Sequence, residues 1–323
     1  MRTLLAVDGG NSKTDVVLVA EDGTILAEGR SGPFTPQSAG VGAAVDVVQD
    51  AVRRALGQAA AVPYADHLAA YLAGADLPVE EDTLRDEFAE RGFAPDVVVA
   101  NDTFALLRAG ASGPSGVAVV CGAGINAAGV GPDGRVARFP ALGRISGDWG
   151  GGLHMGEEVL WHAVRAEDGR GPATALTTLV KEHFGVAAVE RLVLDLHFGE
   201  VGEAELQDLA PGLLAVAADG DPVARSLVER LAEEVTVLAE VCLRRLDLLE
   251  TPVEVVLGGG VLRARDPLLM SLLDGAFALR APRAKLLVAD LPPIAGAALN
   301  GLDRMGAPDA AKARLRARYG AAR

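Results

Sequence analysis

Apolar positions along the chain follow two rhythms. Short, nearly continuous runs of Val, Leu and Ala that stop at Gly, Asp or Asn read as strands buried on both faces; longer stretches with apolar residues three or four apart read as helices. The first third predicts strands at 3–9, 14–20 and 24–30, a helix near 38–59, a strand at 67–73, a helix near 80–91 and a strand at 96–100. Three more strands, at 116–122, 125–131 and 134–139, open the remainder. Helices near 153–167, 174–184 and 221–247 follow, then a strand at 253–257, a helix near 265–279, a strand at 284–288 and further helices.

The turn Pro132-Asp133-Gly134 precedes the third strand of the second set as Asp22-Gly23 does in the first. Two triple-strand openings, each followed by helices alternating with strands, amount to a duplication of pattern without identity of residues. Two such α/β halves, 1–113 and 114–306, would face each other across a cleft. Residues 168–220 carry short amphipathic stretches and no strand signal, as a helical insertion in the second half would. The Ala/Arg-rich end, 307–323, reads as a solvated helix completing the first half.

A chain of 323 residues suits two domains, and its apolar residues are aliphatic rather than aromatic, as layered strands and helices require. The net charge of −14 argues against a nucleic-acid backbone or an anionic membrane as partner. An anionic ligand must then be held by local devices. Cys121 lies in a strand-like run and Cys242 in a helical pattern, so both read as buried reduced thiols; no CxxC pair points to zinc or an iron–sulfur cluster. The N-terminus shows no signal-peptide pattern and no apolar run reaches membrane-spanning length, so a cytoplasmic protein is expected.

Chemistry concentrates in a few turns. Asp8-Gly9-Gly10-Asn11-Ser12-Lys13 joins two strands, where glycines let backbone N–H groups approach an anion and one carboxylate can hold a metal ion or its waters. A Walker-type loop is excluded, because Ser12 stands where Gly must precede the Lys and the loop opens a strand rather than a helix. Gly122-Ala123-Gly124-Ile125-Asn126 repeats the strand–turn–strand layout in the second half. An apolar strand delivers Asn101-Asp102 at its carboxyl end, where ligands of α/β proteins lie; Asp102 suits either chemistry or a helix N-cap. Four glycines around Asp148, at 147, 150, 151 and 152, suggest close backbone approach to a ligand, and Gly258-Gly259-Gly260 would let a flat ring lie against the backbone.

Together DGGNSKT (8–14), NDT (101–103), GAGIN (122–126), GDWGG (147–151) and GGG (258–260) resemble the BadF/BadG/BcrA/BcrD ATPase family of the actin-like ATPase and sugar kinase superfamily, above all its N-acetylglucosamine kinase branch. PPIAGAALNGL (292–302) is similar to the family's last nucleotide-side segment. The resemblance implies an α/β fold of duplicated ribonuclease H-like, actin-like ATPase domains, each βββαβαβα, around a central cleft. It also implies ATP and Mg²⁺, an amino sugar as second substrate, and a homodimer. Asp8 then resembles the metal-linked aspartate, and Gly9, Gly10, Asn11, Ser12, Lys13 and Thr14 the loop facing the terminal phosphates. Gly122, Ala123 and Gly124 would form the second phosphate loop, and Gly258, Gly259 and Gly260 the adenosine segment. Asp102 resembles the catalytic base, with Asn101, Asn126 and Asp148 lining the sugar pocket and Thr35 and Gln37 near the amino-sugar substituent.

The chain departs from that branch near the sugar. Gly-Ala-Gly-Ile-Asn replaces a common Gly-Thr-Gly-Ser-Asn, and Trp149 and Gly151 stand within what is often Gly-Asp-Glu-Gly-Ser. Trp149 either stacks on a sugar face or fills the core. The histidines at 67, 154, 162, 183 and 197 form no HExxH pair and read as ordinary residues. The expected activity is transfer of the γ-phosphoryl group of ATP to a hydroxyl, at C6, of N-acetylglucosamine or glucosamine. The alternatives are an activator ATPase of a 2-hydroxyacyl-CoA dehydratase or benzoyl-CoA reductase system, which needs suitably placed cysteines, and a nucleotide-dependent sugar sensor.

Overall fold

A computed structural model describes residues 1–321. Strands β1 (Thr3–Gly9), β2 (Thr14–Ala20), β3 (Ile25–Ser31), β4 (His67–Leu72) and β5 (Asp96–Asn101) form one sheet in the order β3-β2-β1-β4-β5. Hairpins make β1–β2 and β2–β3 antiparallel, whereas β4 lies parallel to both β1 and β5. Strands β6 (Gly116–Cys121), β7 (Ile125–Val130), β8 (Val136–Arg138), β9 (Val253–Gly258) and β10 (Ala284–Val288) repeat the order as β8-β7-β6-β9-β10. Their pairings repeat the same alternation of two antiparallel and two parallel neighbours. The duplicated α/β architecture expected from the pattern is thus the one observed.

The continuous apolar runs have a direct cause in the layering. In β1, Leu5 and Val7 pack toward Val45, Val48 and Val52 of the Val41–Leu56 helix on one face. Leu4 and Ala6 pack toward Ile294, Ala298 and Leu302 of the Pro293–Arg304 helix on the other. A strand covered on both faces has no polar side to show. The helix expected near 38–59 is broken at Gly40, whose φ of +87° separates Pro36–Ala39 from Val41–Leu56.

The insertion is helical as expected, with Leu176–Phe184, Val189–His197, a 3₁₀ turn at Glu203–Leu209 and Ala210–Ala218. It packs with Gly151–Glu167 and the long Pro222–Arg245 helix around the core of the second half. The terminal helix runs Asp309–Gly320; residues 322 and 323 of the expected span lie outside the described residues. The return to the first sheet already begins with Pro293–Arg304.

That helix crosses Asp102–Gly110 between the two sheets. A Cβ added at Gly296 would fall 1.9 Å from the Ala105 carbonyl oxygen, so the two backbones touch at the crossing. From the Asp102–Gly110 helix, Leu106 and Leu107 reach Ala118 and Val256 of the second sheet. Among the described residues, no helix is long and apolar enough to cross a membrane.

Candidate active site

Strand register gathers the carboxylates. Gly9 pairs with Leu72, and Leu72 with Asn101, so β1, β4 and β5 end side by side with Asp8, the 73–77 loop and Asp102 at one edge. The Asn101 side-chain oxygen accepts from the Thr103 amide at 3.1 Å and from the Thr103 hydroxyl at 2.6 Å. Asn101 is therefore the cap of the following helix, and Asp102 is its first residue, whose carboxylate also draws on the Thr103 amide and its own. The rest of Asn101 is also engaged: its amide nitrogen donates to Asp76 Oδ1 at 2.8 Å, and Asn126 Nδ2 approaches its oxygen at 3.4 Å.

These half-buried carboxyls sit in like-charged surroundings. Burial pushes Asp102 up to about 6. Burial first, and the Asp102 charge second, push Asp8 up to about 7. Asp76 is raised to about 7 by burial and then by Asp102 and Glu80. Lys13 and, from β3, Arg30 lower Asp8 only in part, since both cations are paired with Asp15, Arg30 at 2.5 Å. A site short of positive charge is built to receive it.

Two adjoining cavities meet at Gly260. One, of about 790 Å³, has Ser12, Gly122, Ala123 and Gly260 on one side and Gln207 and Pro211 of the insertion on the other. The smaller, about 150 Å³, is lined by Asp8, Asp102, Thr103, Gly259, Gly260 and Arg263. A Cβ added at Gly122, Gly124 or Gly260 would meet nothing within 4 Å, whereas one at Gly258 would strike Leu106 at 2.4 Å. Gly259, at φ +83°, would place it 2.2 Å from the Cys121 carbonyl oxygen. One glycine of the triple motif therefore faces open space, and the other two let the strand end pack.

The glycines around Asp148 require a similar correction. The Gly152 amide donates to the Gly122 carbonyl at 2.7 Å and the Leu153 amide to the Ala123 carbonyl at 3.0 Å. At Gly151, with φ +80°, a Cβ would lie 2.5 Å from Gly124 Cα. At Gly151 and Gly152 the close approach is to the second loop, which it fixes on a helix start, whereas a Cβ added at Gly147 would meet nothing within 4 Å. Trp149 belongs to the core: it is 3% exposed, its Nε1 donates to Glu158 at 3.3 Å and the Arg230 guanidinium lies 4.1 Å from its ring centre.

The remaining expected residues are less concentrated. Asp148 accepts from the Ser146 hydroxyl, and its amide donates to the Gly143 carbonyl. Gln37 is exposed and donates to the Gly74 carbonyl at 2.7 Å, in a separate groove of about 220 Å³ beside Glu80; Thr35 precedes it at the helix start without a capping bond. Sequence reading missed Asp76, Glu81, Arg138, Arg263 and the insertion wall. The strand-end rule that picked out Asp102 also covers Asp76, on the loop after β4. Arg138 carries no such signal, because it lies in a three-residue edge strand.

Both cysteines are buried in the second half's core, and burial pushes each thiol up to about 12. Neither can reach a surface where a cluster shared between chains would sit.

The model of the BadF/BadG/BcrA/BcrD ATPase family matches residues 5–301. The chain belongs to that family. Over 263 residues it is 25% identical to the N-acetylmuramic acid/N-acetylglucosamine kinase of Clostridium acetobutylicum, covering 81% of this chain and 86% of that one. Over 311 residues it is 24% identical to the N-acetyl-D-glucosamine kinase of Dictyostelium discoideum, covering 93% and 97%. A crystal structure of a Chromobacterium violaceum protein provisionally named N-acetylglucosamine kinase superposes with a TM-score of 0.73 at 27% identity, covering 93% of this family member and 98% of that chain.

Proposed function

We propose that this family member is an ATP-dependent amino-sugar kinase that phosphorylates a hydroxyl, at C6, of N-acetylglucosamine, with glucosamine a poorer substrate. The observation that carries the reading is the placement of Asp102. It is a half-buried carboxylate at a strand end, on the first residue of a helix capped by Asn101, beside a cavity that adjoins a second one rimmed by glycine backbone. Three kinases or kinase-named relatives, similar over most of their length, support the same substrate class.

In this reading the adenosine lies in the larger cavity between Gly260 and the insertion. The phosphates follow the open faces of Gly122 and Gly124 toward the Asn11–Lys13 turn of the first loop, which the Gly10 amide closes by donating to the Lys13 carbonyl at 2.9 Å. Phosphoryl transfer asks the protein mainly for positioning and charge neutralisation. Asp102, raised to about 6, is ionised at neutral pH yet basic enough to accept the proton of the attacking hydroxyl. The new bond joins that oxygen to the γ-phosphorus as the bond to the β-phosphate oxygen breaks and ADP departs.

Asp8 fits a role beside Mg²⁺: a half-buried carboxylate pushed up to about 7 gains from a cation, and one carboxylate with waters is a usual Mg²⁺ set. When bound, the ion would neutralise charge on the terminal phosphates. Asn126 and Asp148 offer an amide and a carboxylate to sugar hydroxyls. The activator reading is disfavoured by the burial of both thiols.

Sugar-dependent ADP release tests the proposal, with N-acetylglucosamine, glucosamine, N-acetylmuramic acid, N-acetylmannosamine and glucose offered in turn. Stimulation by N-acetylglucosamine and a 6-phosphate product are expected. Absence of stimulation by every sugar would refute it; tight sugar binding without product would favour a sensor.

A further inference from the structure

We propose that Arg138 is a positioning residue for Asp102, reaching from the second half of the molecule to hold the frame of the catalytic base in the first. This rests on the sugar-kinase reading above. Arg138 ends β8, paired with Ala128 two residues beyond Asn126, and its carbonyl accepts from Arg245 of the long second-half helix at 3.1 Å. Its guanidinium nevertheless leaves that half. Nη1 donates to both Glu81 carboxylate oxygens at 3.0 Å, and Nη2 donates to the Asp76 carbonyl.

Both acceptors hold Asn101. Glu81 Oε1 takes the Asn101 backbone amide at 3.2 Å, and Asp76 Oδ1 takes its side-chain amide at 2.8 Å. Asn101 in turn caps the helix that begins with Asp102. A second-half cation is thus two hydrogen bonds from the residue that orients the base, along two separate routes. It also faces a local excess of negative charge from Asp76, Glu80, Glu81 and Asp102, which would repel one another without it. Glu81 and Arg138 are mostly covered, so the pair is screened less than a surface bridge. The base is therefore well placed only when the two halves stand close enough for Arg138 to span the cleft.

Arg138→Ala is expected to lower kcat about 10- to 100-fold, the cost of a misplaced catalytic group, while KM for ATP stays within about twofold. Arg138→Lys should recover part of the loss. Glu81→Gln keeps an acceptor for the Asn101 amide but removes the charge. The double variant should then lose no more than the worse single one, as coupled residues do. Additive losses, an Arg138→Ala enzyme within twofold of wild type, or equal losses in ATP affinity and kcat would overturn the proposal. Small-angle scattering of the unliganded protein needs no substrate, so it separates this inference from the choice of sugar. Arg138→Ala should be the more expanded form, and identical scattering curves would refute the link across the cleft.

Discussion

Replacing Asp102 with Asn should separate catalysis from stability in opposite directions. The amide keeps the shape of the carboxyl but cannot accept the hydroxyl proton, so kcat should fall about 10²- to 10⁴-fold with ATP affinity kept. The folded protein should become more stable. Asp102 titrates near 6 in the fold against 3.8 when exposed, so the folded state holds its proton more tightly. The ionised carboxylate therefore destabilises the fold at pH above both values, by about 3 kcal/mol, the free-energy equivalent of a roughly 100-fold tighter hold on the proton. That penalty shrinks as pH falls through 6 and is about half as large near pH 5. Asn removes it at every pH and withdraws a charge that also raises Asp8 and Asp76. Urea unfolding at pH 8 and pH 5, beside initial-rate and calorimetric ATP measurements, reads all three effects. A variant within tenfold of wild-type kcat would reject the base assignment. A variant no more stable at pH 8, or one whose gain grows as pH falls, would reject the electrostatic account.

Gly124→Ala and Gly260→Ala should leave unfolding within about 0.5 kcal/mol of wild type, because the added methyl meets no atom, yet weaken ATP binding about tenfold or more in calorimetry. Gly151→Ala should lower stability and ATP affinity together, by about 1–3 kcal/mol in urea unfolding, since its φ of +80° and its 2.5 Å approach to Gly124 both resist a side chain. Trp149→Ala should cost about 3–5 kcal/mol of stability and leave KM for the sugar little changed; a large KM rise in a protein of normal stability would restore a stacking role. Both thiols should resist an aromatic disulfide reagent until the protein unfolds, and anaerobically purified protein should carry no iron or sulfide. Stoichiometric iron would revive the activator reading.

The sheets were legible because each strand is a short apolar run with a turn at its end, and layers on both faces leave such runs uninterrupted. The carboxylate edge was legible for the same reason: Asp8 and Asp102 stand where β1 and β5 stop. What glycines do was not legible. Gly151, Gly258 and Gly259 serve backbone packing, Gly122, Gly124 and Gly260 face open space, and residue type alone distinguishes neither use. Arg138 and Glu81 escaped notice because their meeting depends on how two distant strands and helices are set, which no local pattern encodes. The same holds for the insertion wall, whose apolar residues look like any helix face until Pro211 is seen beside Gly260.

The closing stretch of chain, from Pro293 onward, covers one face of the first sheet, and Arg2, Asp22 and Glu28 bond to Met305, Arg314 and Tyr319 respectively. During synthesis, at about 5–20 residues per second, residues 1–113 must therefore wait roughly ten seconds or more for the segment that seals them. Residues 114–288 wait for no segment of the other half, although β6 must itself await its partner β9, which follows the helical insertion. The half that carries Asp8 and Asp102 is the last to be finished on the ribosome, so a chain stopped short of residue 293 would present its apolar β1–β4 face to every other nascent chain nearby.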